Sequence, residues 1–261
     1  MRYKGPFHHL TLCCGGLVLA FILLPLWELM TSSPPAALAR TLKDGEVVRA
    51  IRLSLLASGA SAAIAFILGT PLAYLLARFD FRGKRWLEAI VDLPVVIPHP
   101  VVGIAVLGVA GRDHALGRIL LQAGVRILGS VTGIIVVLTF VGLPFYINTV
   151  RDGFEAVSPR LENVSRSLGA SMAETFLRIT LPLSWRSVVA GLIMSSARAI
   201  SEFGAVVIVA YHPMTAPVLI YERFEGYGLR YSQPVAVWLV GVCLVLFAAL
   251  RALTLRQRKE E

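Results

Sequence analysis

The sequence predicts an all-α integral membrane protein with six transmembrane helices, and three observations carry that expectation. Of its 261 residues 56% are hydrophobic and only 16% charged, a balance foreign to soluble domains of this length. The apolar residues gather in runs long enough to cross a bilayer core, which takes about 20 residues of a helix that satisfies its own backbone hydrogen bonds. The charged residues punctuate the ends of those runs, so the formal net charge of +9 reads as topology against membrane lipid rather than as a nucleic-acid surface.

The first run, Leu10 to Trp27, follows a basic start and so also fits a secretory signal. No small-x-small cleavage site follows it, and Leu12 precedes Cys13 where a lipoprotein signal has a small residue, so a retained span is expected. The second run is Leu53 to Leu76, flanked by Arg52 and Arg78. The third, Ala89 to Gly111, contains Pro94, Pro98 and Pro100, each of which removes a helix hydrogen bond, so a kink or a local opening is expected there. The fourth, Ile127 to Val150, carries no charge; the fifth, Ser187 to Tyr211, carries Arg198 and Glu202; the sixth is Tyr231 to Leu250. Cys13, Cys14 and Cys243 lie inside these runs without a Cys-x-x-Cys spacing and read as small buried hydrophobes.

Six spans place both termini on one side. Of the 25 Lys and Arg, 15 fall on the two tails, the 78–86 turn and the 151–186 loop, 8 on the opposite loops, and Arg52 and Arg198 within or beside spans. By the positive-inside rule the larger set, with both termini, is cytoplasmic and the protein sits in the cell membrane as a multi-pass chain. The two halves show no repeat, which argues against an inverted-repeat secondary transporter.

Several chemistries are missing. No G-x-x-x-x-G-K-[ST] phosphate loop occurs, so ATP hydrolysis is not expected of this chain. The five histidines show neither H-E-x-x-H spacing nor neighbouring cysteines, so no metal site and no cofactor is expected. A G-x-S-x-G elbow is also absent, and no catalytic residue is assigned.

The polar stretch LENVSRSLGASMAETFLRITLP, Leu161 to Pro182, is unusual for such a chain. Ser158 and Pro159 suit the N-cap and first position of a helix, on which Leu161, Val164 and Leu168 share a face. Gly169 can end it in a left-handed conformation, and Ser171 with Glu174 can box the start of a second helix. That second helix would carry Met172, Phe176 and Ile179 on its apolar face and stop at Pro182. Such a helical hairpin either lies in the lipid interface or enters a groove on a soluble partner and transmits its movement.

Here a family resemblance enters. The segment is similar to the cytoplasmic loop of ATP-binding-cassette importer permeases, whose pattern is Glu-Ala-Ala, three residues, Gly, nine residues, Ile, one residue, Leu-Pro. Gly169, Ile179, Leu181 and Pro182 fall at the matching spacing; Asn163, Val164 and Ser165 stand where the family has Glu-Ala-Ala, with Glu162 one place early. DLPVVIPHPVVGIAVL (Asp92 to Leu107) and SARAISEFGAVVIVAY (Ser196 to Tyr211) resemble the third and fifth spans of permeases for molybdate, tungstate and sulfate, and HPMTAPVLIYERF (His212 to Phe224) resembles most the archaeal molybdate/tungstate branch. The resemblance implies a type-1 permease domain over 48–252 with a coupling loop at 155–182, preceded by a tail, first helix and outer loop (1–47) and followed by a basic tail (253–261). It further implies a homodimer, two cytoplasmic ATPase subunits that seat on the loop around Leu168 and Gly169, and an extracytoplasmic molybdate/tungstate-binding protein.

Within the membrane, Arg198 falls about 16 Å into the fifth span at ~1.5 Å per residue, with Glu202 one turn on. Buried ionised groups at that depth face protein or water. Two roles stay open for the pair: lending positive potential to an oxyanion path, or locking helices or subunits together. Pro94, Pro98 and Pro100 are candidates for a path lining or gate against a plain packing kink, Asp92 reads as solvated, and His99 as packed or hydrogen-bonded. Glu222, Arg223, Glu225 and Arg230, on the outer side, belong to a solvated loop or to the seat of the binding protein. The expected function is the permease subunit of an ATP-driven molybdate/tungstate importer working by alternating access, the alternatives being a sulfate/thiosulfate permease and, in another class, a membrane scaffold or sensor.

Overall fold

The computed structural model describes residues 5–111 and 114–256. Arg2, Lys4, Arg112, Arg258 and Lys259, which entered the charge count, lie outside the described residues, as does the end of the basic tail. Among the described residues there is no strand. The helices are α1 Pro6–Ser32, α2 Pro35–Lys43, α3 Gly45–Arg78, α4 Lys84–Val96, α5 His99–Ala110, α6 Ala115–Gln122, α7 Val131–Ala156, α8 Pro159–Ser167, α9 Met172–Thr175, a π turn Phe176–Thr180, α10 Leu181–Leu183, α11 Trp185–Ile200, α12 Gly204–Val209, α13 Ala216–Tyr227 and α14 Leu229–Arg256.

Four of these helices are long and apolar enough to cross a membrane: α1, α3, α7 and α14. Two bent pairs, α4 with α5 at 113° and Met172–Leu183 with α11 at 72°, bring the total to six if each counts as one broken span. The third predicted span is therefore two helices. Of its prolines only Pro94 sits inside a helix; Pro98 caps α5 and Pro100 lies in its first turn, where a missing N–H costs nothing. The expectation of three lost hydrogen bonds is corrected accordingly.

The fifth predicted span is also not one helix. α11 stops at Ile200, residues 201–203 turn, and α12 begins at Gly204, so Arg198 sits in the last turn of a helix rather than midway along one. The outer-side segment expected to be a solvated loop or a seat is largely helical instead: Glu222, Arg223 and Glu225 lie on α13 and Arg230 at the start of α14.

Helices α3, α7 and α11 form the centre. They approach closely through small residues, as membrane helices do where there is no hydrophobic drive between them. A Cβ on Gly69 of α3 would come within 2.7 Å of the Tyr146 ring on α7, and one on Gly191 of α11 within 2.9 Å of Val150. Leu76, Tyr146, Ile147, Val150, Phe154 and Val188 fill the core here, and the Tyr146 and Thr70 hydroxyls pair at 2.6 Å. A second cluster, with Val137, Val141, Val206 and Val209, packs α7 against α5 and α12.

Helix α1 stands apart: none of its apolar window is buried. Cys13 and Cys14 are consequently exposed and Cys243 half-buried, against the expectation of buried thiols, because so little of this chain covers α1.

Candidate functional site

The loop around Gly169 is built almost wholly by local rules. Pro159 starts α8 after Ser158, although the serine hydroxyl makes no cap bond. The helix ends in a Schellman motif: Gly169, at φ +95°, donates its N–H to Arg166 O (3.0 Å) and Ala170 donates to Ser165 O (3.2 Å). Two residues on, Ser171 and Glu174 form the predicted reciprocal capping box, at 2.9 and 3.2 Å. A hydroxyl pair, Ser165 with Thr175 at 3.1 Å, ties the two arms together across the bend.

Pro182 does not end the second arm. The helix widens into the π turn, where the Leu181 N–H reaches Phe176 O, and runs on through Pro182 to Leu183. In a strict α register the proline ring would press on the Arg178 carbonyl; the wider turn relieves that clash.

One face of the hairpin is bolted to the membrane helices. Glu162 is buried and receives hydrogen bonds from Arg78 Nε (2.9 Å), Thr180 Oγ1 (2.7 Å) and Tyr74 OH (3.4 Å). Arg78 also donates to Val157 O at 2.8 Å. Tyr74, Phe154 and Phe176 stack edge to face beside this pin, with centroids 4.9 to 5.8 Å apart. Glu162 thus joins the end of α3 to both arms, a role the sequence pattern had left without an owner.

The other face is bare. Leu161, Val164 and Leu168 are exposed at 47, 59 and 84%, and Met172 and Leu177 continue the patch. Phe176, Ile179 and Leu181, by contrast, are partly buried toward the bundle, while Asn163 and Pro182 are exposed. The Asn163 side chain accepts a local bond from Arg166 Nη2 (3.1 Å), and its carbonyl one from Ser167 Oγ (2.9 Å).

The second site lies where the broken spans meet. Glu202, with its side chain 1% exposed, accepts from Arg198 Nη2 (2.8 Å) and the Ala205 N–H (2.9 Å), and its Oε2 lies 2.7 Å from His99 Nδ1. The carboxylate so caps α12 and pins it to α5, which explains the break no proline marks. Backbones meet closely here: a Cβ on Gly204 would lie 3.1 Å from His99 Cβ, and one on Gly103 2.8 Å from Ala205 O. Arg198 and His99 keep 20 and 34% of their side chains exposed, so the cluster is buried at its anion and open at its donors. Asp92 is exposed and accepts from Asn148 Nδ2 at 2.7 Å.

A helical bundle with four to six candidate membrane spans and a bolted, outward-facing hairpin has the architecture of a membrane permease subunit. The match to known proteins makes this specific. Residues 69–259 fit the model of the family described as binding-protein-dependent transport system inner membrane component, and the chain belongs to that family. It is 45% identical over 91% of its length to the molybdate/tungstate transport system permease protein WtpB of Pyrococcus abyssi, covering 91% of that protein. Identity to WtpB of Thermococcus kodakarensis is 46%, over 93% of this chain and 94% of the relative. A sulfate transport system permease protein, CysT of Synechococcus elongatus, is 32% identical over 87% of this chain and 79% of its own. The fold matches the solved structure of a bacterial ABC transporter involved in import of the acidic polysaccharide alginate, with TM-score 0.75 at 20% identity, over 96% of this chain and 95% of the other.

Proposed function

We propose that this chain is the membrane permease subunit of an ATP-driven importer of molybdate and tungstate. The observation that carries the reading is the Gly169 hairpin, rigidly held on one face by Glu162 and exposing Leu161, Val164 and Leu168 on the other. A face of that kind suits a groove on a soluble motor subunit, and its bolt to α3 lets a movement of the hairpin become a movement of the bundle. In this reading two copies of the chain pair around a central path, two cytoplasmic ATPase subunits seat on the two hairpins, and an extracytoplasmic binding protein delivers the oxyanion. Both termini lie in the cytoplasm. The names of the relatives above support the substrate class.

The open edge of Arg198 offers donors to a passing oxyanion, His99 being engaged by Glu202 at Nδ1 and by Arg198 at Nε2, while Glu202 offsets the charge of the arginine so that the anion is not trapped. The sharp turn at Ile97 and Pro98, between α4 and α5, supplies the element that rearranges beside them.

The test is ATP-dependent uptake in vesicles holding this subunit with its ATPase and binding protein, with molybdate, tungstate and sulfate in mutual competition. Uptake of molybdate or tungstate that survives excess sulfate supports the proposal. Uptake of sulfate alone keeps the mechanism and moves the substrate; no uptake by an assembled complex overturns both. Gly169→Asp separates the loop from the cargo, since a side chain at φ +95° is strained: transport is expected to fall while the membrane bundle stays folded.

A further inference from the structure

At the end of the bundle away from the Gly169 hairpin, the chain leaves α1 at Ser32, turns through Ser33 and Pro34, and enters α2. Two contacts fix this corner. Trp238 Nε1 of α14 donates to Leu38 O (3.1 Å), and Arg223 of α13 pairs with Asp44 at 2.6 Å, with Glu46 at 3.3 Å. Between them lies a cavity of about 690 Å³, lined among others by Ser33, Arg40, Asp44, Arg223 and Arg230.

Its charge is unbalanced. Three arginines face one carboxylate, and Arg223 already serves Asp44 and Glu46. Arg40 and Arg230 are exposed, and neither forms an ion pair among the described residues. Glu46 and Glu222 lie in the adjoining groove with Arg223, not in this cavity. Ser33, 6% exposed, also lines the wall, but its Oγ is itself buried and gives the cavity no accessible donor.

Position selects the ligand. α3 has 34 residues, about 50 Å at ~1.5 Å each, and separates Asp44 at one end from Arg78 and the hairpin at the other. With a bilayer of about 40–45 Å including headgroups, the cavity lies at headgroup depth on the far face. Trp27, Tyr227 and Tyr231 are exposed around this end, as aromatic residues are at a membrane interface. The bare flank of α1 leaves room for acyl chains alongside. The volume falls in the range of about 300–1,000 Å³ that holds whole small molecules, more than a lone tetrahedral oxyanion fills.

We infer that this corner binds the phosphate of an anionic phospholipid headgroup, with Arg40 and Arg230 supplying the charge. The lipid then seats α1 and α2 against α14, where protein contacts are sparse. A free oxyanion shares the chemistry, and the test separates the two.

The assembled complex is reconstituted in nanodiscs of phosphatidylcholine with and without phosphatidylglycerol, and retained lipid is counted by native mass spectrometry after mild delipidation. The wild type is expected to keep phosphatidylglycerol over phosphatidylcholine. Arg40→Ala with Arg230→Ala should lower that retention by about tenfold or more, and the double lysine variant should keep most of it. Lys43→Ala, a neighbouring charge outside the cavity, should change nothing. Equal retention in the wild type and the double alanine variant overturns the inference. So does displacement of the lipid by excess molybdate or inorganic phosphate, which would make the corner a free-oxyanion site. If the double alanine variant fails to assemble, Arg40→Gln alone, with the lysine pair, gives the same comparison.

Discussion

Two buried carboxylates in this protein have nearly the same partners and opposite consequences. Glu162 and Glu202 each hold an arginine at 2.8 to 2.9 Å and each accept from two further groups. Glu162 joins finished helices: its arginine is as buried as it is, at 9 and 11% side-chain exposure, and the joint is a rigid bolt. Glu202 makes the break it bridges. Its own side chain is 1% exposed but its donors are open, so one face of the cluster stays available. The difference teaches that the chemistry of an ion pair does not state its role; which partner keeps access to the outside does.

Substitutions can break this comparison. Arg198→Ala leaves the most buried carboxylate with only His99 and a backbone N–H, and is expected to cost about 3–5 kcal/mol, read as lost thermal stability and lost transport. Normal stability in that variant would remove Glu202 from the list of structural carboxylates. Arg78→Ala should cost somewhat less, about 3 kcal/mol, since Thr180 and Tyr74 still donate to Glu162. The contrast in function is sharper: binding of the ATPase should survive Arg78→Ala, while the coupling of hydrolysis to uptake falls.

Leu168→Ala tests the bare face. At 84% exposure it should shift stability by less than about 0.5 kcal/mol, yet weaken ATPase binding in a pull-down of the complex. An unchanged affinity there would point to lipid rather than protein as the partner of that face. A modest, pH-dependent effect belongs to the third arginine pair. The hydrogen bond from Arg223 holds the Asp44 carboxyl below its ordinary 3.8, against an opposing push from burial. A carboxylate whose pKa is lowered on folding stabilises above its unfolded value, and that contribution fades as the pH drops through the lowered one. Arg223→Ala should therefore cost at most about 1 kcal/mol near neutral pH, and the gap to wild type should close in melts below pH 4.

Much of the hairpin was legible from the chain alone. The Ser171/Glu174 box and the Gly169 bend are local, each needing only residues three or four apart, and both stand as read. The same locality misled at Pro182, where a π turn carries the helix past a residue that ordinarily stops it. At the Glu202 junction the sequence yielded the pair but not the break. Nothing in Arg198 to Gly204 interrupts a helix until His99, 103 residues away, and the N–H of Ala205 claim the carboxylate.

The sequence by itself determined the class, because an apolar run of 20 residues has few structures open to it in lipid and because caps and glycine bends are written in adjacent residues. Only the tertiary structure decided which charges are bolts and which stay open. Glu162 meets Arg78 across 84 residues, and no periodicity carries that pairing; it follows from how α3, α7 and α11 close on one another through small side chains, bringing distant charges within reach.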